Sequence, residues 1–270
     1  MNLLSSVLRG PVASDDKYSR GVVGFVTGSI EYPGAAILGV TAAVRTGVGM
    51  VRWLGPDSVG RLLIEVRPEV VLQSGRVQCW VVGSGVPSDP AGEQARTILE
   101  LLREPGFAVV DAGALDFVDF DQTAKAGVLT PHAGELERLL SRLDNAMSRA
   151  QIEADPIAAA SLCARLTGQV VLLKGNVTTI AGPGGQVLQT PPATPALATA
   201  GSGDVLAGIM GALIASNLGR IESREVELVG LAFAAAMLHA EAGALAAKSG
   251  PVAALDIAEA VRTVVRGYLA

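Results

Sequence analysis

Short apolar runs that stop at a glycine-bearing or polar corner recur along this chain, and they limit its possible folds more than any other feature. Val22-Val23-Gly24-Phe25-Val26 stops at Thr27-Gly28-Ser29, Val77 to Val82 at Gly83-Ser84-Gly85, and Phe107-Ala108-Val109-Val110 at Asp111-Ala112-Gly113. Gly127-Val128-Leu129 runs into Thr130-Pro131, and Val170-Val171-Leu172-Leu173 into the corner Lys174-Gly175. Such runs read as buried strands, and Met50 to Leu54 and Val70 to Leu72 read as two more. Helices are expected from Ala35 to about Thr46, from Glu93 to Arg103 and, opened by Asp155-Pro156, to about Leu166. Strands that end in glycine before a helix belong to an α/β fold with a parallel sheet. Ligands of such sheets bind beyond the carboxyl ends of the strands, so the corners are the candidate ligand rim. Asp111 stands at one of them, although the commoner role of an aspartate there is to form the turn.

At 270 residues the chain suits one domain, expected over residues 21–270 after a polar, irregular extension over residues 1–20. Half of the residues are hydrophobic and 17% are charged, which excludes a disordered chain. A net charge of -5 with no lysine-arginine block argues against nucleic acid as a partner. Cys79 and Cys163 stand far apart in apolar surroundings, as buried thiols in a reducing compartment do. The first residues lack the basic start and apolar core of a secretion signal, so the cytoplasm is the expected location. Leu231 to Leu245 is interrupted by His239 and Glu241 and reads as a buried helix too short to span a bilayer, so no membrane association is expected.

The stretch with the most chemistry in it is Thr199-Ala200-Gly201-Ser202-Gly203-Asp204, followed by the apolar run Val205 to Ala215. Small residues let the backbone turn with several N–H groups pointing the same way, and a helix N-terminus built so faces an anion. A carboxylate at an anion site repels phosphate unless a metal intervenes or the carboxylate takes part in proton transfer, so Asp204 has to be explained. A glycine-tolerant cap is the plainer reading of the same residues. Thr130-Pro131-His132-Ala133-Gly134-Glu135 enters another helix, with Glu135 in its first turn where the dipole favours negative charge. Helix capping by Glu135 and a hydrogen-bonded loop role for His132 are the simpler alternatives. Lys174 at its corner suits a phosphate, or an ordinary surface turn. After Val177 to Ile180 and a hairpin at Gly182-Pro183-Gly184-Gly185, helices are expected over Gly203–Ser216, Val226–Ala247 and Ala254–Leu269.

Taken in register, Thr130-Pro131-His132-x-x-Glu135, Lys174-Gly175, Gly201-Ser202-Gly203-Asp204, Tyr32-Pro33-Gly34-Ala35-Ala36-Ile37-Leu38 and Arg45-Thr46-Gly47-Val48-Gly49 resemble the ADP/ATP-dependent NAD(P)H-hydrate dehydratases. The resemblance runs from about Lys17 to the last residues and implies a ribokinase-like three-layer α/β/α fold around a mostly parallel sheet. It implies a lyase of metabolite repair, without the epimerase domain that precedes this one in bifunctional members. ADP or ATP would phosphorylate the hydroxyl on carbon 6 of hydrated NADH or NADPH, and loss of phosphate would restore the dihydronicotinamide. Carried over by position, Asp204 is the base, and the amides of Gly201, Ser202 and Gly203 hold the transferred phosphoryl. Lys174, Gly175, Asn176, Val177 and Thr178, with Gly203, line the adenine nucleotide. Ala35, Gly85 and His132, with Asp204, touch the hydrated dinucleotide, and Glu135 organises Mg2+ through water. The resemblance further implies a homo-oligomer, often a tetramer.

Two departures from the family pattern stand out. Gly83-Ser84-Gly85 replaces Gly-Pro-Gly, and Asp111-Ala112-Gly113 replaces Asp-Ala-Asp, removing a carboxylate near the substrate site. A small-molecule alcohol kinase of the same fold is the principal rival reading. The thiazole kinases, however, usually carry asparagine at the position of His132 and cysteine at that of Asp204. A nucleotide-binding protein that has lost catalysis is the other rival, motivated by Gly113.

Overall fold

The central strands Val22–Val26, Cys79–Val82 and Val170–Leu173 are buried at every position, and their side chains, pointing alternately to opposite faces of one sheet, divide the core into two layers. The computed structural model describes residues 3–89 and 91–269. In chain order the elements are α1 (Leu3–Val7), β1 (Val22–Val26), α2 (Pro33–Thr46), β2 (Met50–Trp53), α3 (Asp57–Val66), β3 (Cys79–Val82), α4 (Glu93–Arg103), β4 (Gly106–Val110), β5 (Lys125–Leu129), α5 (Ala133–Arg142), α6 (Arg149–Ala154), α7 (Pro156–Thr167), β6 (Val170–Leu173), β7 (Thr179–Ala181), β8 (Val187–Gln189), α8 (Ser202–Ser216), α9 (Leu218–Glu222), α10 (Leu228–Ala246) and α11 (Ala254–Leu269). The strand order is β2-β1-β3-β4-β5-β6-β7-β8, parallel from β2 to β6 with β7 and β8 antiparallel. Val23, Phe25, Val81, Val109, Val128 and Leu172 face one layer, with α1, α2, α3, α8, α10 and α11. Val26, Val82, Val110, Leu129, Val171 and Leu173 face the other, with α4, α5, α6 and α7. Each fully buried aliphatic side chain contributes about 1.5–3 kcal/mol, so the sheet is the common floor of two separate cores.

The expected α/β fold with a mostly parallel sheet is what the chain forms. Three expectations are corrected. Residues 1–20 are not irregular throughout: α1 packs on α10 and α11, with Leu4, Val7 and Leu8 buried, while Met1 and Asn2 lie outside the described residues. Val70 to Leu72 is no strand, because Val71 makes only an isolated bridge to Arg52. The Leu231–Leu245 segment belongs to a longer helical stretch, Leu228–Ser249, whose 22 residues and mean hydropathy of 1.6 are long and apolar enough to cross a membrane by length and composition. Its expected burial holds, since Val229, Leu231, Ala232, Ala234, Ala235 and Leu238 are all in the core.

A glycine-to-glycine contact between two helices sets the position of the Asp204 loop. α2 and α8 meet where Gly39 lies against Gly208, and a Cβ on Gly208 would fall 2.1 Å from the Gly39 carbonyl oxygen. Backbones approach this closely only where neither residue has a side chain. Gly208→Ala is therefore expected to force α8 away from α2 and to destabilise the fold by about 1–3 kcal/mol, read as a lower midpoint in urea unfolding.

Candidate active site

The sheet changes direction between β1 and β3: the chain leaves β1 for β2 on one side and returns to β3 on the other. A crevice opens at such a switch point beyond the strand ends. Here the Gly28 amide donates to the Ser84 carbonyl at 2.7 Å, and Gln94 Nε2 donates to the Gly28 carbonyl at 2.7 Å. Gly85 adopts φ +66°, and a Cβ on it would lie 2.5 Å from the Ala35 Cβ and 3.1 Å from the Tyr32 carbonyl. Ala35 and Gly85, which the resemblance assigns to one ligand from two distant motifs, are thus neighbours on one wall.

Next along the strand ends comes a buried charge cluster. Asp111, at the end of β4, accepts from Ser84 Oγ at 2.8 Å, from Thr130 Oγ1 at 2.8 Å and from Lys174 Nζ at 2.9 Å. Three donors hold both carboxylate oxygens, so the side chain has no freedom to form the turn that its strand-end position suggested. Lys174 also lies 3.5 Å from Glu135 Oε2. Its backbone is fixed as firmly: the amide donates to the Pro131 carbonyl at 2.8 Å, and a parallel bridge sets Lys174 opposite His132. Burial lowers the Lys174 pKa, but the charges of Asp111 and Glu135 outweigh it and the net shift is upward. The ammonium stays charged.

His132 and Glu135 form the capping box of α5. His132 Nδ1 accepts from the Gly134 and Glu135 amides at 3.1 and 3.2 Å, and Glu135 Oε2 accepts from the His132 amide at 2.7 Å. Capping is thus part of what both residues do. The rest of the His132 ring is exposed and lines the large cavity described below, so the capping duty leaves its outer edge available to a ligand.

The Thr199–Asp204 stretch caps α8 as the small residues require. Gly201 takes φ +87°, and Ser202 starts the helix with its amide turned back to the Thr199 carbonyl at 3.3 Å. Among the described residues, no acceptor pairs with the amides of Gly201, Gly203 and Asp204. The free donors of the loop therefore differ from the expected set in one member, with the Ser202 amide occupied and that of Asp204 free. A Cβ on Gly203 would lie 3.4 Å from Lys174 Nζ, which brings the ammonium against the helix terminus. The Asp204 carboxyl is pushed up to about 7, first by burial, then by the Asp111 charge and with a smaller push from Glu135, against the opposing pull of Lys174. A base is most effective when its pKa lies near the working pH.

A cavity of about 780 Å³ opens on the other side of Lys174. Its walls carry Asn176, Thr178 and Thr190 as polar groups and Pro195, Leu197, Leu206, Ala236 and Ala240 as apolar ones, with Ser202 and Gly203 at its inner end. Lys174, Gly175, Asn176 and Thr178 all line it, as assigned, whereas Val177 does not. Asp204 is likewise off this cavity, on the side of Asp111 and Glu135. Lys174 and Gly203 stand between the cavity and Asp204.

Among the described residues no three His, Cys, Asp or Glu side chains come together as a metal site. Magnesium commonly keeps several waters and takes one or two carboxylates with substrate phosphates. Glu135 fits that use, because Oε2 is engaged by the His132 amide and Lys174 while Oε1 meets only the His132 Nε2 at 3.5 Å.

Sequence reasoning missed four residues of this site. The sequence points to Asp111 chiefly as a turn former, and to Thr130 and Ser84 only as members of motifs, without a role in the site. His239 was read as a break in an apolar helix, yet its Nε2 lies 3.0 Å from Ser202 Oγ. A polar residue in a run of alanine and leucine, shared with Glu241, is its only signal. Gly113 also has a structural reason: a Cβ there would fall 2.0 Å from the Val86 carbonyl oxygen. The loop after β3 occupies the space in which an aspartate at 113 would start.

The fold is that of the ribokinase-like proteins. Ribokinase from Thermotoga maritima superposes with a TM-score of 0.53 at 15% identity, over 92% of this chain and 99% of that one. An ADP/ATP-dependent NAD(P)H-hydrate dehydratase from Bacillus subtilis, co-crystallised with ATP and Mg2+, superposes with a TM-score of 0.84 at 23% identity, over 98% and 96%. A family model described as NAD(P)H-hydrate dehydratase matches residues 23–265, and the chain belongs to that family. The bifunctional NAD(P)H-hydrate repair enzyme Nnr of Mycobacterium tuberculosis is 43% identical over 218 residues, 77% of this chain and 44% of its own length. The ADP-dependent (S)-NAD(P)H-hydrate dehydratase of Neisseria meningitidis is 32% identical over 266 residues, 92% of this chain and 84% of its own. The chain thus spans about half the length of the bifunctional relatives it matches.

Two outcomes are expected from this geometry. Gly113→Asp, which restores the family's acid, should lower the melting temperature and bring no gain in turnover, since its Cβ meets the Val86 carbonyl first. Asp204 is destabilising when ionised, because its pKa is raised from 3.8 to about 7. The folded state is therefore at its most favoured, as far as this group goes, below about pH 4, and loses on the order of 4 kcal/mol as pH rises through 7. Asp204→Asn should raise the melting temperature at pH 8 and leave it nearly unchanged at pH 4.

Proposed function

We propose that this protein dehydrates (6S)-hydrated NADH or NADPH to the dihydronicotinamide dinucleotide, with ADP or ATP as phosphoryl donor. The observation that carries this reading is Asp204, a carboxyl with a pKa raised to about 7 beside free amides at a helix N-terminus. A lysine there separates it from a nucleotide-sized cavity. The family membership and the names of the relatives support it.

The adenine nucleotide enters the large cavity, with its base against Pro195, Leu197, Leu206 and Ala236 and its phosphates towards Lys174 and Gly203. The hydrated dinucleotide lies along the wall formed by Ala35 and Gly85, and His132 meets it from the rim of the nucleotide cavity. Asp204 takes the proton of the carbon 6 hydroxyl as its oxygen attacks the terminal phosphorus, and the bond to the departing ADP, or AMP when ADP is the donor, breaks. The amides of Gly201, Gly203 and Asp204 hold the phosphoryl oxygens while charge builds on them. The ring nitrogen then pushes the phosphate off carbon 6, and a proton lost from carbon 5 restores the double bond. Phosphate, ADP or AMP and a proton are the other products. Glu135, whose Oε1 meets only His132 Nε2 at 3.5 Å, would hold Mg2+ through a water, and the ion would supply positive charge against the nucleotide phosphates.

The Lys174–Asp111 pair keeps a positive charge facing the phosphates, which three carboxylates alone would repel. As further parts of the same reading, the protein assembles as a homo-oligomer, a tetramer, and works in the cytoplasm. Exposed apolar side chains, Ile30 at 70% and Tyr32 at 63%, support the first. Two free, buried cysteines support the second.

Incubation with hydrated NADH or NADPH and ADP or ATP should restore the dihydronicotinamide absorbance. Asp204→Asn should reduce turnover by roughly 10²–10⁴-fold while nucleotide binding survives. Turnover should fall about tenfold per pH unit below pH 7, as Asp204 gains its proton. A product that stays phosphorylated, as from a thiazole alcohol, would point to a kinase. Tight nucleotide binding with no turnover in the wild type would point to a binding protein.

A further inference from the structure

His239 is the one buried histidine of the molecule, on α10 and facing the start of α8. Its Nε2 lies 3.0 Å from Ser202 Oγ, and both side chains line the inner end of the nucleotide cavity beside Gly203. Burial lowers the ring's pKa to about 4, so it is neutral at ordinary pH and carries a hydrogen on one nitrogen only. A neutral ring bonded to a hydroxyl through Nε2 has two arrangements. With Nε2 bare, the serine spends its hydrogen on the ring and turns oxygen lone pairs towards the cavity. With Nε2 protonated, the ring donates to Oγ and the serine hydrogen is free.

The two arrangements differ sharply once an anion occupies the loop. Its own amide being turned to Thr199, Ser202 has only the hydroxyl to offer the anion. Lone pairs facing a phosphoryl oxygen repel it, whereas a free O–H donates to it. We propose that His239 is a positioning residue that donates Nε2–H to Ser202 Oγ, leaving the Ser202 hydroxyl hydrogen for the terminal phosphoryl group of the bound nucleotide. This deepens the function proposed above, on which the phosphoryl site rests. The assignment gives the loop a side-chain donor besides its backbone amides, one whose direction is set from a different helix. A histidine buried in an otherwise apolar face of α10 is what it costs in packing.

The test compares Ser202→Ala, His239→Phe, His239→Gln and the double variant Ser202→Ala with His239→Phe, read by calorimetric binding of ATP and of AMP and by turnover of hydrated NADH. Glutamine places an amide N–H near the position of Nε2, and phenylalanine fills the ring's volume without a donor. Each single loss should weaken ATP binding and lower kcat by roughly 10-fold or more, with AMP affinity and the KM for hydrated NADH within about 2-fold. The double variant should be no worse than Ser202→Ala, and His239→Gln should recover most of the ATP affinity. Additive losses in the double variant, wild-type ATP affinity in His239→Phe, or equal losses for AMP and ATP would each overturn the proposal. If His239→Phe does not fold, failure of the folded His239→Gln to hold ATP affinity overturns it equally. Absence of turnover in a wild type that still shows the coupled loss of ATP affinity would sink the dehydratase reading and leave the role of His239 standing.

Discussion

Lys174 Nζ rests 2.9 Å from a buried carboxylate of Asp111, and that contact holds both the charge balance and the geometry of the strand ends. Taking both charges out of water costs several kcal/mol each, which the pair recovers only if the remaining polar atoms are also satisfied. Ser84 and Thr130 supply the missing donors to Asp111, and Glu135 stands on the other side of the ammonium. Four strand ends and two helix termini, those of α5 and α8, therefore meet at this lysine. Asp204 sits within the field of the same cluster, and its raised pKa follows from burial among two negative groups and one positive one.

The two departures from the family pattern are connected through this cluster. Proline has no hydrogen-bond donor, whereas Ser84 gives Asp111 Oδ2 a donor at 2.8 Å. Gly113 lets the backbone after β3 come so close that its carbonyl takes the space of a side chain. Where the family pattern places two carboxylates on the loop after β4, this chain has one, held by an additional hydroxyl. Gly113 is thereby a packing residue of an altered corner, and Asp204 is unaffected by the change.

Much of the fold was legible because parallel strands buried on both faces are written as continuous apolar runs, and each here stops at a breaker. β1, α2, α4 and α7 fall where propensity and capping place them. Val71 failed as a strand because only one bridge partner is within reach, which local pattern does not encode. The N-terminal helix was hidden because five residues leave no helical period to detect, and its two buried residues acquire meaning only from α10 and α11. In the site, Asp204, Lys174 and Glu135 were visible as parts of contiguous motifs. Asp111, Ser84, Thr130 and His239 were not, since each is joined to its partner across 19 to 63 positions of sequence.

Gly201 has its missing Cβ directed at Leu38 of α2 and Ala254 of α11, so the anion loop is closed over by the last helix of the fold. The face of the sheet that carries Phe25, Val81 and Val109 is covered largely by α8, α10 and α11, all of which follow residue 201. A ribosome making this chain therefore completes the opposite layer, on α4 to α7, while this face has only α1, α2 and α3 to cover it. Nascent chains that expose such a surface aggregate readily. The arrival of the final helices thus closes both the core and the phosphate loop, so that an incomplete chain is at once the most adhesive species and one without a finished site.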